Sequence, residues 1–258
     1  MIIVDNLYKS FKLSKKQRKE FNTADSEAVP VDKISFKCEP GRIFSLLGPN
    51  GAGKTTTLRM ISTIITPTSG KIEVAGYDVA TQPNEVRKSI GFLTGSTGLY
   101  ERLTADEVLK YYADLNYVPK AEFETRKKHY YDLLDMHDFA GKRIGQLSTG
   151  MKQKVSITRT MIHHPDVVVF DEPTSGLDVI TAENIIKLIR DCKIEGKTVI
   201  FSSHIMSEVD LLCDDLAIID KGKILYNDTM ANFRANMKAD SLTREFIRIV
   251  NENKKVNA

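Results

Sequence analysis

One stretch of the sequence has the residue types and spacing needed to hold a row of phosphate groups. It reads Gly48-Pro49-Asn50-Gly51-Ala52-Gly53-Lys54-Thr55, between an apolar run and a segment with helical spacing. Glycines let successive backbone N–H groups point at phosphate oxygens, and the following helix offers its positive N-terminal end. Lys54 would reach the β- and γ-phosphates, and the Thr55 hydroxyl would ligate Mg²⁺. A glycine-rich turn that binds nothing is the alternative, and the complete pattern in this context argues against it.

Two adjacent carboxylates, Asp171 and Glu172, follow a second apolar run at residues 167–170. In a parallel sheet the carboxyl ends of the strands face the ligand crevice. Asp171 can then bind Mg²⁺ directly or through water, and Glu172 can orient or deprotonate an attacking water. The alternative is that both acids only solubilise a loop, but the phosphate loop elsewhere in the chain favours the chemical interpretation.

A histidine, His204, follows residues 198–203, which contain a third buried-strand run at 198–201. Of the five histidines it is the one at a predicted strand end. Its imidazole is expected near the γ-phosphate, where hydrogen bonds could hold the geometry of attack; a structural role is the alternative. The remaining histidines are interpreted as structural: His129, His137, His163 and His164.

A second anion site is predicted at Leu147-Ser148-Thr149-Gly150-Met151-Lys152-Gln153, where a loop leads into a helix. A serine hydroxyl and glycine N–H groups at a helix N-terminus attract anions. One nucleotide does not need two such sites in one subunit. Two subunits packed head to tail would place this site opposite the phosphate loop of the partner.

Alternating strands and helices must position these residues, which predicts an α/β fold with a helical insert. Apolar runs predict a strand at residues 2–8 and buried strands at 42–47, 167–170, 198–201 and 216–219, the last pairing with 224–226 as a hairpin. Helical spacing and capping residues predict helices at 55–65, 104–117, 123–137 and 150–163, and another that Gly196 ends.

Two further segments have distinctive side chains. Residues 12–30 are predicted to form an exposed insertion or a long hairpin tip, either simply solvated or resting as a basic arm on anionic lipid or a partner. Its cations are Lys12, Lys15, Lys16, Arg18 and Lys19. Near the end of the chain, Leu242, Phe246, Ile249 and Val250 share one helical face, which is expected to dock on its own domain.

Composition excludes several classes of protein. The 258 residues carry 37 basic and 34 acidic side chains, a formal charge of +3, which is too balanced to indicate nucleic-acid binding. Three widely separated cysteines provide neither a disulfide framework nor a metal spacing and suggest a reducing compartment. No apolar run reaches the roughly 18 residues of a membrane helix, and no basic segment precedes the first strand as in a secretory signal.

Together, the motifs resemble those of the ATP-binding subunit of an ABC transporter, in that family's order from Met1 to about Asp228. Residues 48–55 correspond to Walker A, 147–153 to the signature motif, 167–172 to Walker B with its glutamate, 175–178 to the D-loop and His204 to the switch histidine. The resemblance implies a P-loop ATPase core with a mixed, largely parallel sheet, an N-terminal antiparallel β subdomain and an inserted α-helical subdomain. Residues 1–258 would be one domain, with its core at 1–94 and 166–228, helical subdomain at 95–165, basic insertion at 12–30 and helical tail at 229–258.

The family also implies a set of ligands and partners. Glu172 and His204 would be catalytic, and Thr55 and Asp171 would hold Mg²⁺. ATP would be bound by residues 48–56 and by Phe11, Ser148, Thr149, Gly150 and Asp178, with Phe11 stacking on adenine, a contact worth roughly 1–3 kcal/mol. Thr56 ends the first of these segments. Two identical chains would sandwich two Mg·ATP molecules and drive a separate transmembrane permease subunit from the cytoplasmic face of the plasma membrane.

Two positions depart from the family pattern. Thr149 replaces the first glycine that usually follows the signature serine, while Ser148 and Gly150 remain. Gly95 stands where the family usually has a glutamine that touches Mg²⁺ or the attacking water and links the two subdomains. Ser96 or a water is the candidate substitute for that glutamine.

Residues 91–100 and the basic insertion are similar to a narrower group, the ATPase subunits of bacterial sodium exporters. This resemblance implies sodium efflux. An exporter ATPase for a drug, lipid or polysaccharide is one alternative. A non-transport ABC ATPase of translation or repair is another, although the chain shows one ATPase unit and no heptad insert.

Overall fold

Two sheets and a group of helices make up the part of the chain described by the computed structural model, which covers residues 1–20, 23–94 and 98–256, the last three as backbone only. The strands are β1 (Ile2–Lys12), β2 (Glu27–Cys38), β3 (Ile43–Leu47), β4 (Ser69–Val74), β5 (Tyr77–Asp78), β6 (Ile90–Leu93), β7 (Val167–Asp171), β8 (Thr198–Ser203), β9 (Asp215–Asp220) and β10 (Lys223–Thr229). The α-helices are α1 (Lys15–Glu20), α2 (Lys54–Ile61), α3 (Pro83–Ser89), α4 (Ala105–Leu115), α5 (Lys120–Leu134), α6 (Thr149–Met161), α7 (Val179–Ile194), α8 (Met206–Leu212), α9 (Met230–Ala235) and α10 (Leu242–Val256).

The larger sheet brings the predicted chemical residues to one edge. Its strand order is β10-β9-β3-β8-β7-β6, and every pair is parallel except the β9–β10 hairpin. All residues of β3, β7 and β8 are buried, which explains their continuous apolar runs. Leu47 pairs with Ser203 and Asp171 pairs with Ser202, so the three strands end at the same level.

The smaller sheet is antiparallel, with the order β2-β1-β4-β5. Phe36 of β2 stacks on Phe44 of β3 with ring centroids 5.0 Å apart, which joins the two sheets through a shared apolar core. Within residues 12–30, β1 and β2 form the two sides of a hairpin, and the short helix α1 lies at its tip with no buried residue. The two sheets and the helices between them confirm the predicted fold class.

Helices α4, α5 and α6 lie between β6 and β7 and pack on one another over a common apolar core. The helix predicted from residue 104 begins with a capping box, in which the Thr104 hydroxyl accepts the Glu107 N–H and the Glu107 carboxylate accepts the Thr104 N–H. Its last turn ends at Leu115.

Two predicted helix ends are wrong for the same physical reason. The helix predicted to reach residue 65 ends at Ile61, and Thr63 has a φ of 60°. The helix predicted to reach residue 137 ends at Leu134, and Asp135 has a φ of 50°. A left-handed residue terminates a right-handed helix, and neither position is the glycine that would have signalled it.

The C-terminal helix α10 packs against α8 and β10. Val250 is buried, and Leu242, Phe246 and Ile249 pack partly buried against the main core, as the spacing predicts. Glu245 is only 2% exposed; its carboxylate accepts the N–H groups of Lys238 and Ala239 and pairs with Arg248. In residues 1–20, 23–94 and 98–256, no helix combines the length and apolar character needed to cross a membrane.

Candidate active site

The phosphate loop connects β3 to α2, and close packing determines where it needs glycine. A Cβ atom at Gly48 would lie 2.2 Å from the carbonyl oxygen of Ile219 on β9. At Gly53 the φ is 108°, and a Cβ atom would lie 2.2 Å from the carbonyl oxygen of Pro30 on β2. Both sheets therefore press directly on the loop, and only glycine fits at these two positions.

Lys54 opens α2 and folds back over the loop. Its side chain is 5% exposed, and Nζ donates to the carbonyl oxygens of Gly48 at 2.6 Å and Pro49 at 3.1 Å. The Nζ atom also lies 3.7 Å from Glu172 Oε1. Burial lowers the pKa of Lys54, and the nearby carboxylates of Glu172 and Asp171 offset part of that effect. The ammonium is thus held inside the loop, where phosphate oxygens would be strong competitors for it.

Three hydroxyl and carboxylate groups meet beside the loop. Thr55 Oγ1 donates to Asp171 Oδ1 at 3.1 Å, and Ser202 Oγ donates to the same oxygen at 2.7 Å. Asp171 is 6% exposed, so these bonds are what satisfies its buried charge. Mg²⁺ is typically bound by one or two protein oxygens together with phosphate oxygens and waters. The oxygen set of Thr55 and Asp171 fits that ion, and Ser202 would orient the carboxylate from behind.

Glu172 and His204 contact each other at the ends of β7 and β8. His204 Nδ1 lies 3.2 Å from Glu172 Oε1, and the side chains are 42% and 29% exposed. The N–H of Glu172 is bonded to Ser202, with the hydroxyl at 3.1 Å and the carbonyl oxygen at 3.2 Å. The sequence placed both residues at strand ends, and the parallel register brings them together.

Two cavities share Thr55 and Glu172. One of about 260 Å³ is lined by the loop from Asn50 to Thr56, together with Pro30 and Glu172. The other, about 410 Å³, lies beside Asp171; it is lined also by Arg59, Thr94, Thr149, Gln153, Ser175 and Leu177. A ligand bridging the two cavities would touch the loop and both carboxylates.

Phe11 lies on β1, near the smaller cavity. It pairs with Ala28 of β2, two residues before the Pro30 that lines that cavity. The ring is 40% exposed, and the Lys9 ammonium lies 4.8 Å from its centroid. An exposed ring at this place is available for stacking with a planar ligand.

The predicted second anion site lies at the start of α6. Ser148 caps that helix, since its hydroxyl accepts the Met151 N–H at 3.2 Å. A Cβ atom at Gly150 would lie 3.9 Å from Asp178 Oδ2, so Asp178 is beside this turn in the same chain. Asp178 itself caps α7, and the Thr181 N–H lowers the pKa of its carboxyl. Ser148 and Gly150 are not among the residues lining the smaller cavity.

Sequence reasoning missed some residues that meet the site. Ser202 was treated only as part of a strand, although a polar residue two positions before a strand-end histidine was a usable signal. Gln153 was given no role, yet its Nε2 donates to the Pro173 carbonyl oxygen at 3.2 Å and it lines the larger cavity. The predicted glutamine replacement at Gly95 or Ser96 lies outside the described residues.

Known proteins share these features. A family model described as "ABC transporter" matches residues 31–175. The ATP-binding protein NatA of Bacillus subtilis (strain 168) is 41% identical over 218 residues, which are 84% of this chain and 89% of NatA. The linearmycin resistance ATP-binding protein LnrL of the same strain is 32% identical over 236 residues, 92% of this chain and 76% of LnrL. A solved structure of the ATP binding subunit of an ABC transporter superposes with a TM-score of 0.85 at 25% identity, covering 97% of this chain and 99% of the other. The chain therefore belongs to the ABC transporter family, as one of its ATP-hydrolysing cassettes.

Proposed function

We propose that this cassette powers an exporter by hydrolysing ATP in a pair with a second, identical cassette, and that the exported substrate is the sodium ion. The observation that carries the hydrolytic part is the convergence of Lys54, Asp171, Glu172 and His204, from three separate segments, on one edge of the larger sheet. Such convergence is what in-line attack on a bound phosphate requires, because catalysis of phosphoryl transfer is mostly positioning and charge stabilisation.

The phosphate loop and its neighbours hold the triphosphate. Backbone N–H groups within residues 48–56, Pro49 excepted, and the Lys54 ammonium bind phosphate oxygens, and Phe11 stacks on adenine. Thr55 and Asp171 hold Mg²⁺, which supplies positive charge to the phosphate oxygens when it is bound. Ser202 keeps the Asp171 carboxylate turned towards that position through its 2.7 Å hydrogen bond.

Glu172 and His204 act on the attacking water. The Glu172 carboxylate is shared between Lys54 at 3.7 Å and His204 at 3.2 Å. When phosphate oxygens take over the Lys54 ammonium, Glu172 loses one of its two cationic or hydrogen-bonding neighbours. Its carboxylate is then free to accept a proton from water, while His204 holds its orientation.

The position of the signature residues supports the pairing of two cassettes. Ser148 and Gly150, at the start of α6, do not line the smaller cavity of their own chain, whereas Thr149 between them lines the larger one. A second chain, packed head to tail, supplies this helix start to the first chain's nucleotide, with Thr149 and Asp178 at the seam between them. Closure on two nucleotides completes both sites, and hydrolysis opens them again.

Mixing two inactive variants tests this pairing. Lys54→Ala removes the phosphate ligand, and Gly150→Asp places a carboxylate at the signature helix start. If each site combines the loop of one chain with the signature of the other, the mixture regains ATPase activity that neither variant has alone. Activity that stays absent in the mixture while both variants are folded and co-assemble contradicts the pairing.

The sodium assignment rests on resemblance. Residues 91–100 and the basic insertion are similar to sodium-exporter ATPases, and NatA is the 41% identical relative. Exporting one monovalent cation against about 100 mV costs roughly 2.3 kcal/mol, and this cassette supplies the drive through a NatB-like membrane subunit on the cytoplasmic face of the plasma membrane. The second candidate is export of an antibiotic, which the 32% identity to the linearmycin resistance protein favours.

Reconstitution of the cassette with its membrane subunit in sealed vesicles separates the two candidates. ATP-dependent movement of ²²Na⁺ is expected, and the same vesicles with Glu172→Gln provide the matched control. A nucleotide-dependent flux of a labelled antibiotic, with none of sodium, would replace the sodium assignment and leave the ATPase assignment intact. A flux that is unchanged in vesicles with Glu172→Gln would contradict the proposed role of Glu172.

A further inference from the structure

Glu208 contacts both of the segments that carry the catalytic pair. It lies on α8, and its carboxylate accepts two hydrogen bonds from different parts of the chain. Oε1 accepts one from Thr174 Oγ1, and Oε2 accepts one from Ser203 Oγ at 2.9 Å. Thr174 follows Glu172 by two residues, and Ser203 immediately precedes His204. One side chain therefore joins the loop after β7 to the end of β8.

These bonds hold the backbone on both sides of His204. The Ser203 hydroxyl donates to Glu208 and also accepts the Ile205 N–H at 2.9 Å, so the residues before and after His204 are tied to one oxygen. The His204 side chain is exposed. Among the described residues, Glu172 is the one acidic residue that it contacts. Its position consequently depends on how firmly its neighbours are held.

The bonds at Glu208 are shielded from water on the donor side. Ser203 is 2% exposed and Thr174 is 8% exposed. A hydroxyl bonded to a carboxylate makes a stronger bond than a pair of neutral groups, and shielding strengthens it further. At their last paired residues β7 and β8 are already linked, because Ser202 bonds Asp171 and Glu172. Glu208 extends the link beyond the last paired residues of the two strands.

We propose that Glu208 is a positioning residue, which sets the Glu172 carboxylate against the His204 imidazole; this rests on the catalytic roles proposed above. The distance at stake is the 3.2 Å between His204 Nδ1 and Glu172 Oε1. A shift of about 1 Å in either loop removes that contact and can cost on the order of 100-fold in rate. Glu208 bonds Thr174 and Ser203 and does not line the smaller cavity, so ATP binding is expected to survive its loss.

A simpler role for Glu208 would be electrostatic. It lies in the first turn of α8, where a negative charge is favoured by the helix dipole. That role requires the charge and ignores the two hydroxyls. We call the two bonds from Glu208 to Thr174 and Ser203 the clamp. The clamp requires hydrogen-bonding groups that reach both hydroxyls. An amide can provide them, because a hydroxyl can donate to its oxygen or accept from its NH₂ group.

Glu208→Ala, Glu208→Gln and Thr174→Val, measured as purified full-length chains, distinguish these roles. Glu208→Ala should lower kcat for ATP hydrolysis by about tenfold or more while KM for ATP stays within about twofold. Glu208→Gln should recover most of that loss, and Thr174→Val should lower kcat by a smaller factor. Asp210→Ala is the matched control: Asp210 lies on the same helix but pairs with Arg234, so its kcat should equal that of the wild type.

Double variants test whether Glu208 acts through the catalytic pair. In a His204→Ala background, Glu208→Ala should reduce kcat by a much smaller factor than in the wild type, since the contact that it maintains is already gone. Thermal unfolding of each variant shows that the chain is folded at the assay temperature. Thr174→Val keeps the test available if Glu208→Ala fails to fold.

Three results would overturn the clamp. A wild-type kcat in both Glu208→Ala and Thr174→Val, with Glu172→Gln and His204→Ala inactive, refutes the clamp and leaves the proposed catalytic roles standing. Equal losses in Glu208→Gln and Glu208→Ala assign the effect to charge. Full turnover in Glu172→Gln and His204→Ala removes the proposed roles themselves, and the clamp with them.

Discussion

Replacing Ser202 with alanine should weaken the affinity of the ATPase for Mg²⁺ more than its affinity for nucleotide. The Ser202 hydroxyl donates to Asp171 Oδ1 at 2.7 Å and accepts the Glu172 N–H at 3.1 Å. Ser202 does not line the smaller cavity, and Glu172 is its hydrogen-bond partner there. Alanine keeps the strand and its ladder but leaves the buried Asp171 carboxylate with the Thr55 hydroxyl as its remaining donor.

The magnitude follows from the kind of bond that is lost. A hydrogen bond to a charged group contributes about 1.5–3 kcal/mol. Groups that orient a metal ligand typically account for about 10–100-fold in metal affinity, which is the same range of free energy. The Glu172 N–H keeps the Ser202 carbonyl oxygen at 3.2 Å, so no buried backbone donor is left without an acceptor. We therefore expect the half-saturating Mg²⁺ concentration to rise about 10–100-fold.

Two measurements and one control check this value. ATPase activity at saturating nucleotide is titrated with free Mg²⁺, and the thermal stabilisation that Mg²⁺ adds to the ATP-bound chain is titrated in parallel. Ser45→Ala is the control, because Ser45 lies on the neighbouring strand β3, is fully buried, and has a hydroxyl with no hydrogen-bond partner among the described residues. Its loss should be neutral or stabilising. If Ser202→Ala and Ser45→Ala share one Mg²⁺ dependence, Asp171 is not oriented as argued.

Three further outcomes are expected. Glu172→Gln should bind ATP with near wild-type affinity but lose about 10²–10⁴-fold in kcat, measured by phosphate release, because an amide cannot accept the proton of water; an unchanged rate refutes its role as base. Phe11→Ala should raise KM for ATP by roughly 5–150-fold, and Phe11→Trp should restore it, as expected for stacking worth roughly 1–3 kcal/mol. Arg248 and the N–H groups of Lys238 and Ala239 lower the pKa of Glu245 to about 2. A carboxyl whose pKa is lowered by folding stabilises the fold at any pH above its ordinary pKa, and this contribution is lost as the pH falls towards 2. Wild type and Glu245→Gln should therefore differ in free energy of unfolding, measured by chemical denaturation, at pH 6 and converge as the pH approaches 2.

Contiguous motifs could be recognised from the sequence because their chemistry is local. The phosphate loop is specified by glycines, a lysine and a hydroxyl within eight residues, and the buried strands by unbroken apolar runs. Other elements carry no such signal. Strand β4 is exposed over its first three residues, and β5 has only two residues, so neither has an apolar run. Strand β1 extends to Lys12 because that charged residue pairs with Glu27 across the hairpin, which a hydrophobic pattern does not detect.

Contacts between segments were out of reach for a different reason. Ser202, Gln153 and Glu208 are polar residues, and each acts on a segment 20 to 34 residues away in sequence. Their partners are determined by the register of parallel strands, in which Asp171 lies beside Ser202. The pattern of apolar residues predicts which face of a strand is buried. It does not predict which residue of the neighbouring strand lies beside a polar residue at the end of that strand.

The neighbouring carboxylates Asp171 and Glu172 show how far the backbone alters what a pattern implies. Along an extended chain, adjacent side chains point to opposite faces, so two successive acids should not serve one site. Glu172 has a φ of 50°, a left-handed conformation that costs a non-glycine residue on the order of 1–3 kcal/mol. The turn ends the strand and lets both residues line the same cavity of about 410 Å³. Two acceptors on Ser202 hold the Glu172 N–H in this conformation. Ser202 therefore acts on both carboxylates: it orients Asp171 through its hydroxyl proton and maintains the backbone turn that brings Glu172 to the phosphate side of the sheet.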